Sequence, residues 1–140
     1  MNQVDVLCIG YACWDLNFQI SNQPGPDGKT FADSLTSEGG GPAANAAYAI
    51  AKLGGRSAFM GRLGNDALGK SHVEELNQAG VDTSRILITD TLTSTSSIWV
   101  DTQGQRSVVN YKTDRSALLP KPNEIDPHCL LLDGHEFEAS

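Results

Sequence analysis

The segment "WDLNFQI", residues 14–20, alternates strictly between apolar and polar side chains. The apolar positions share one face, and they are Trp14, Leu16, Phe18 and Ile20. The polar positions share the other face, and they are Asp15, Asn17 and Gln19. A period of two residues predicts a β-strand with one polar face.

Other apolar runs predict further strands. The short run at residues 4–10, "VDVLCIG", predicts a strand that enters the core, and residues 128–134, "HCLLLDG", predict a buried parallel strand. The segments "SAFMGRLG" and "RILIT" predict shorter strands. The stretch from about residue 95 to residue 111 predicts a hairpin around "TQGQ". Together with the helices below, these strands indicate an α/β fold with a small separate sheet.

The segment that begins at Pro42 predicts a helix. Proline suits the first helical position because its ring fixes φ and it has no N–H to leave unpaired. The alanine-rich stretch continues to about Leu53, and Gly54 and Gly55 then supply a left-handed end. We therefore expect the three glycines at residues 39–41 to lie directly before a helix N-terminus.

The segment "NDALGKSHVEELNQAG" predicts a second helix. Asn65 or Asp66 is the expected N-cap, and Gly80 is the expected end. The apolar side chains fall on one side of this helix, and they are Leu68, Val73 and Leu76. We expect His72, in the middle of the helix, to lie on the surface.

Composition limits the classes of function. A chain of 140 residues suffices for one domain, and a net charge of -7 argues against a nucleic-acid surface, which needs a basic face. No basic segment precedes an apolar run at the start, and no run approaches the length of a membrane span. The chain has three cysteines and no CxxC pair, which indicates reduced thiols. We predict a cytoplasmic protein with no membrane partner.

The glycines at residues 39–41 allow three interpretations: an anion site at the helix N-terminus, a hinge, or a simple connection. The patterns GxxxxGK[ST] and GxGxxG are both missing, which disfavours a phosphate loop and a dinucleotide site. Asn45, in the first helical turn, could reach a ligand above the glycines or bond to nearby backbone. Asp15 could likewise bind a ligand or be solvated. The three histidines show no metal-ligand spacing.

The stretch "GGPAANAAYAIAKLGGRSAFMGRLG" resembles the first signature of the ribokinase-like (PfkB) carbohydrate kinases. Two glycines precede Asn45, and the G-x-D-x-x-G stretch at Gly64, Asp66 and Gly69 continues the resemblance. It implies a Rossmann-like ribokinase fold of the α/β class, truncated, with a small β-sheet lid. Residues 1–140 would be the amino-terminal part of one kinase domain, with lid strands at about 13–20 and 95–111.

The resemblance also implies site residues. Asp15 would hydrogen-bond to sugar hydroxyls, Gly40 and Gly41 would give close backbone contacts and a closure hinge, and Asn45 would bind a hydroxyl. Cys13 departs from the asparagine that ribokinases typically carry two residues before the matching aspartate, which argues against ribose itself.

The second signature of the family, a GAGD-type stretch with the catalytic aspartate, has no match in the 140 residues. The resemblance thus implies that ATP and Mg²⁺ act in the complete enzyme, that neither binds this portion alone, and that the portion is inactive. The expected partner is a sugar, and a homodimer could form through the lid or an exposed sheet. The alternatives are a non-catalytic sugar-binding or assembly module and a nucleoside kinase of the same family.

Overall fold

The structure, a computed structural model, describes residues 3–113 and 126–135. Within these ranges the chain forms nine strands and two helices, in the order β1 (Val6–Ile9), β2 (Cys13–Ile20), β3 (Ala32–Gly40), α1 (Pro42–Lys52), β4 (Ser57–Met60), β5 (Arg62–Gly64), α2 (Ala67–Ala79), β6 (Leu87–Thr89), β7 (Thr95–Val100), β8 (Arg106–Tyr111) and β9 (Cys129–Leu132). The strands make three sheets, and the α/β class predicted from the sequence is confirmed.

The three-stranded sheet, called the parallel sheet below, has the order β4-β1-β9. Its central strand is buried: Cys8 pairs with Phe59 in register, and both are fully shielded from solvent. The alanines of α1 lie against this pair, because small side chains let the helix approach the sheet closely. The predicted parallel strand at residues 128–134 is confirmed as β9, but its predicted burial is wrong. Leu130 is 56% exposed, since β9 is an edge strand in the part of the chain that the structure describes.

The four-stranded sheet, called the mixed sheet below, has the order β3-β2-β7-β8. It contains the predicted alternating strand and both strands of the predicted hairpin, and β7 runs parallel to β2. The sequence analysis did not predict β3, which pairs antiparallel with β2 and places Glu38 opposite Asp15. The indole N–H of Trp14 donates to Ser37 Oγ at 2.6 Å on the opposite face. A third sheet consists of β5 and β6 in parallel.

Helix α1 starts and ends as predicted. Pro42 is its first residue, and Gly41 precedes it with a φ of 102°, a backbone conformation that favours glycine. A Cβ on Gly41 would also overlap the carbonyl oxygen of Tyr11, which is backbone and has little freedom to move away. Lys52 is the last helical residue, and Gly54 follows in the left-handed region.

Helix α2 has the predicted caps, with Asp66 at the N-cap and Gly80 in the left-handed region at the C-cap. The predicted surface position of His72 is wrong, because this side chain is only 1% exposed. The buried positions of α2 are Gly69, His72 and Leu76. This stripe is rotated about the helix axis from the predicted one. Gly69 faces β5, and the backbones of α2 and β5 lie too close together there for a larger residue.

The G-x-D-x-x-G stretch holds α2 on β5 and on the segment before β7. Asp66 accepts hydrogen bonds from the backbone N–H of Gly69 at 2.8 Å and from the N–H and hydroxyl of Thr93 at 2.8 and 2.6 Å. A Cβ on Gly69 would overlap the carbonyl oxygen of Gly64. Burial raises the pKa of Asp66, but the bonds from Thr93 and Gly69 outweigh it and lower the pKa. These residues therefore secure the fold around the start of α2.

Candidate functional site

A polar pocket of about 280 Å³ opens between α1, α2 and the end of β3. Its polar and aromatic lining residues are Asp15, Glu38, Asn45, Tyr48, His72 and Glu75. Asp15 and Asn45, the two side chains predicted for the site, thus share one pocket. Gly40 and Gly41 form the turn that connects β3 to α1 beside it. Two larger depressions, of about 610 Å³ each, contain none of the four predicted residues.

The carboxylate of Asp15 lies over Gly40. A Cβ on Gly40 would overlap Asp15 Oδ2, so any larger residue at this position would displace the carboxylate. Asp15 Oδ1 accepts a hydrogen bond from Cys13 Sγ at 3.1 Å, and this is its one side-chain hydrogen bond within residues 3–113 and 126–135. A carboxylate has about four acceptor positions, so most of the capacity of Asp15 is unused by the described chain.

Cys13 holds this carboxylate in place as a donor. Burial raises the pKa of its thiol to about 12, and the neighbouring Asp15 carboxylate adds to the shift. The thiol therefore remains protonated at neutral pH and has a proton to donate to Asp15. The hydroxyl of Ser96 donates in turn to Cys13 Sγ at 3.6 Å across the mixed sheet. Cys13 occupies the position where ribokinases typically have asparagine, and it supplies a weaker donor there.

Asn45 lies on the exposed side of the first turn of α1. Its backbone N–H donates to Gly41 O at 2.9 Å, as the first intrahelical hydrogen bond requires. Its side-chain amide makes no hydrogen bond to the residues that the structure describes, so the alternative of a first-turn backbone bond is not realised there. The amide offers two donors and an acceptor to whatever occupies the pocket.

Among the polar and aromatic residues that line the pocket, sequence reasoning missed Glu38, Tyr48, His72 and Glu75. Glu75 Oε2 accepts a hydrogen bond from the backbone N–H of Gly39 at 3.0 Å and so fixes the end of β3 against α2. Glu38 Oε1 accepts from the amide of Asn17 at 3.3 Å. His72 packs edge-on against Trp14, with ring centroids 6.0 Å apart. The helical spacing of His72 from Gly69 and Leu76 was the one signal in the sequence for its inward position.

The imidazole of His72 is buried and neutral. Burial lowers the pKa of His72, and the nearby carboxylates of Glu75 and Asp15 only partly oppose this. Its ring occupies the space that a Cβ on Gly39 would need, with Nε2 at 2.5 Å from that position. Its Nδ1 is also buried, and it has no hydrogen-bond partner among the described residues.

Asp133, at the carboxyl end of β9, binds the N-terminus of α1. Its Oδ2 accepts from the backbone N–H groups of Tyr11 at 2.8 Å and Ala43 at 3.1 Å, and its Oδ1 accepts from His135 at 2.9 Å. Free N–H groups and the helix dipole favour an anion at this place. The chain itself supplies that anion, and the sequence analysis did not assign Asp133 this role.

No group of three or more histidine, cysteine, aspartate and glutamate side chains in residues 3–113 and 126–135 is placed to hold a metal ion. Across the same residues, neither α1 nor α2 is long and apolar enough to cross a membrane.

Comparison with known proteins gives the same assignment by sequence and by structure. The chain is 31% identical to the 5-dehydro-2-deoxygluconokinase of Geobacillus kaustophilus over 98% of this chain and 42% of that enzyme. It is 32% identical to the ATP-dependent ribose-1-phosphate kinase of Halopiger xanaduensis over 88% of this chain and 41% of that enzyme. The structure of Arabidopsis thaliana ribokinase complexed with ribose and ATP matches with a TM-score of 0.68 and 28% identity, over 78% of this chain and 36% of that one.

The chain spans less than half the length of these curated relatives. The fold is that of the ribokinases, as predicted. Residues 3–134 match the family described as pfkB family carbohydrate kinase, which confirms the resemblance inferred from the glycine and asparagine signature. The chain belongs to the pfkB family of carbohydrate kinases.

Proposed function

We propose that this chain carries the sugar-binding part of an ATP-dependent carbohydrate kinase. The observation that carries the proposal is the convergence of Asp15 and Asn45 on one pocket, each with hydrogen-bonding capacity that the described chain does not use. Asp15 is half-buried, and polar groups shielded from solvent are normally paired, so its unused capacity in a pocket favours a polar ligand. The relatives named above, which include a ribokinase complexed with ribose and ATP, support the sugar as that ligand.

The proposed roles follow from the chemistry of the side chains. The carboxylate of Asp15 accepts hydrogen bonds from sugar hydroxyls, and the amide of Asn45 both donates and accepts. Gly40 has no side chain and so leaves room for the carboxylate of Asp15. Gly41 is the hinge residue about which β3 moves relative to α1. Positioning accounts for much of catalysis in phosphoryl transfer, where the γ-phosphoryl group of ATP passes to a hydroxyl held in line. The described residues contribute that positioning, and the base that receives the hydroxyl proton is not assigned among them.

The test compares the chain with Asp15→Ala and with Asp15→Asn. Loss of a charge-assisted hydrogen bond costs about 1.5–3 kcal/mol, so we expect Asp15→Ala to weaken sugar binding by about tenfold or more. The asparagine variant keeps one acceptor and should lose less. Calorimetric titration of pentoses, hexoses and nucleosides measures the dissociation constants. Equal affinities in all three proteins would show that Asp15 is only a solvated residue.

We also propose that residues 1–140 alone do not transfer phosphate and bind neither ATP nor Mg²⁺. The absence of a GAGD-type stretch from the sequence and the 42% coverage of a relative support this. The purified chain is incubated with ATP, Mg²⁺ and the same sugars, and ADP is measured. ADP formation that depends on sugar, and is lost in Asp15→Ala, would contradict the proposal. Sugar binding without turnover also describes the second candidate, a non-catalytic module in the cytoplasm.

A homodimer through the mixed sheet is a further proposal. One face of this sheet carries partly exposed apolar side chains, including Leu35 at 55% and Val109 at 61%. The register places both of them on the same face as Leu16, with Ser97 between Leu16 and Val109. Exposed apolar side chains on one face favour association with another apolar surface. Light scattering should give the mass of two copies, and Leu35→Glu should return the protein to one.

A further inference from the structure

We infer that the pocket selects neutral polyhydroxylated substrates and rejects sugar acids and sugar phosphates. The inference rests on the proposed function, because it names the class of sugar that the same site takes. The names of the relatives leave this question open. One names a gluconate-type acid, one a sugar phosphate, and one structure contains ribose, which is neutral. The lining of the pocket discriminates between these classes.

The first observation is the charge of the lining. Three carboxylates face the pocket, from Asp15 on β2, Glu38 on β3 and Glu75 on α2. No lysine or arginine lines this pocket in the part of the chain that the structure describes. A bound carboxylate or phosphate would approach three like charges with no cation opposite, and this repulsion is strongest where solvent is partly excluded. A neutral sugar avoids it.

The second observation is His72. The side chain is buried, it lines the pocket, and its Nδ1 has no hydrogen-bond partner within the described residues. Because burial keeps the imidazole neutral, His72 does not supply the missing positive charge. A neutral imidazole instead offers one donor and one acceptor, which suits a hydroxyl. The ring of His72 forms part of the pocket wall, and Nδ1 itself is shielded from solvent.

The third observation is the balance of donors and acceptors. The oxygens of Asp15, Glu38 and Glu75 only accept hydrogen bonds, and two of these side chains already hold backbone or amide N–H groups with one oxygen each. The remaining oxygens are free to accept hydrogen bonds from a ligand in place of water. A sugar with several hydroxyls supplies donors in number, whereas the oxygens of a carboxylate or phosphate group supply none when ionised. Charge and hydrogen bonding therefore favour the same class of ligand.

The experiment measures binding of matched pairs to the purified chain by calorimetry at low ionic strength. The pairs are glucose with glucuronate, which share the pyranose ring and differ by one carboxylate, and ribose with ribose 1-phosphate, which differ by one phosphate. We expect the neutral member of each pair to bind about tenfold tighter or more. An anionic member that binds as tightly as its neutral partner, or tighter, overturns the inference and leaves the proposed sugar site intact. Binding of no member defeats the proposed function, and the inference falls with it.

Variants identify the source of the preference. Glu38→Gln and Glu75→Gln each remove one charge and keep an oxygen that accepts the existing hydrogen bond. Each should reduce the neutral-to-anionic preference by about threefold. Glu74→Gln is the matched control, because Glu74 is next to Glu75 on α2 but faces a different depression and bonds to Gln78. An equal reduction in Glu74→Gln would assign the preference to the net charge of the chain, against the inference.

The ¹⁵N resonance of His72 Nδ1 gives an independent readout. We expect it to move when the neutral sugar that calorimetry shows to bind is added, and to stay in place on addition of its anionic partner at the same concentration. A shift with neither ligand, in a protein that binds the neutral sugar, would remove His72 from the site, and a shift with both would contradict the rejection of the anion. The variant His72→Gln, which keeps a polar group, then measures how much His72 contributes to the affinity for the neutral member of each pair.

Discussion

Two aspartates flank the start of α1, and their surroundings differ. Asp133, on the side of the parallel sheet, accepts three backbone hydrogen bonds, from Tyr11, Ala43 and His135. Asp15, on the side of the mixed sheet, accepts one from a thiol within the described residues. Both carboxylates exclude a side chain from a neighbouring glycine: Asp133 lies over Gly10, and Asp15 lies over Gly40. The same local arrangement, a carboxylate that lies over a glycine, thus serves two purposes.

The difference separates a carboxylate that holds the fold from one that is left for a ligand. The oxygens of Asp133 are committed to the chain, and they satisfy N–H groups that a helix start and a strand end leave unpaired. The oxygens of Asp15 are held in place by the sheet but have acceptor positions to spare. Both aspartates lie beside a glycine, so that position does not distinguish their roles. What distinguishes them is the number of hydrogen bonds that each carboxylate accepts from the chain.

The largest expected effect tests this contrast directly. Asp133→Ala leaves three backbone N–H groups without their acceptor and should lower the free energy of unfolding by about 3 kcal/mol. Asp15→Ala removes one weak bond and should lower it by less than about 1 kcal/mol. Urea denaturation followed by circular dichroism measures both values. Asp133→Asn keeps a carbonyl oxygen and should recover part of the loss, and a larger loss in Asp15→Ala than in Asp133→Ala would reverse the assignment.

A second prediction applies the contrast to the two glycines. Gly41→Ala brings a Cβ against the backbone oxygen of Tyr11 at a positive φ, so we expect a loss of about 2 kcal/mol in the free energy of unfolding. Gly40→Ala brings a Cβ against the carboxylate of Asp15, which can rotate away. It should retain more stability but lose sugar affinity. Thermal unfolding and calorimetric titration of both variants give the two quantities, and identical losses of stability and affinity in both would contradict the distinction.

The smallest expected effect concerns His72 and pH. Because burial lowers the pKa of His72, the unfolded chain takes up a proton below the usual value of about 6.5 while the folded chain does not. The free energy of unfolding should therefore decline as the pH falls through that value, and the contribution is fully present above it. His72→Gln removes this titration, so its stability should depend less steeply on pH between about 7.5 and 5.5. Equal slopes would mean that His72 titrates as an exposed imidazole does.

Local patterns in the sequence predicted most of the elements. The proline at the start of α1, the N-cap of α2 and the glycines that end both helices are short-range signals, and each appears in the structure as predicted. The alternation in β2 and the turn between β7 and β8 are local signals of the same kind. Such features depend on the backbone preferences of a few adjacent residues, which tertiary contacts did not override.

The failures share a different cause. Strand β3, "ADSLTSEGG", has no apolar alternation because seven of its nine residues are exposed, and only its pairing with β2 makes it a strand. His72 is a polar residue in a core position, where α2 packs on Trp14. In β9 the apolar run predicted burial, but the sheet places it at an edge. Each outcome depends on a neighbour that is distant in the sequence.

The residues of the candidate site also fall into two groups, those indicated by local sequence signals and those that depend on tertiary packing. Asp15 and Asn45 were found from an alternating strand, a helix start and the family signature. Glu75 and His72 enter the pocket from a second helix, and no spacing in the sequence connects them with Asp15. Their roles depend on the packing of α2 against β3, which brings Glu75 to the backbone of Gly39. A pocket between elements is a tertiary property, and its lining residues are seen together only in the three-dimensional structure.

The three thiols of the chain differ enough to serve as reporters of its motion. Thiol reagents attack the thiolate, and burial raises the pKa of Cys8 to about 11 and of Cys13 to about 12. Both are buried, whereas Cys129 is exposed. A maleimide dye should consequently attach at Cys129 and leave the other two unmodified in the native state. Slow alkylation of Cys13 would then measure how often the surroundings of β2 open to solvent, without any substrate being known.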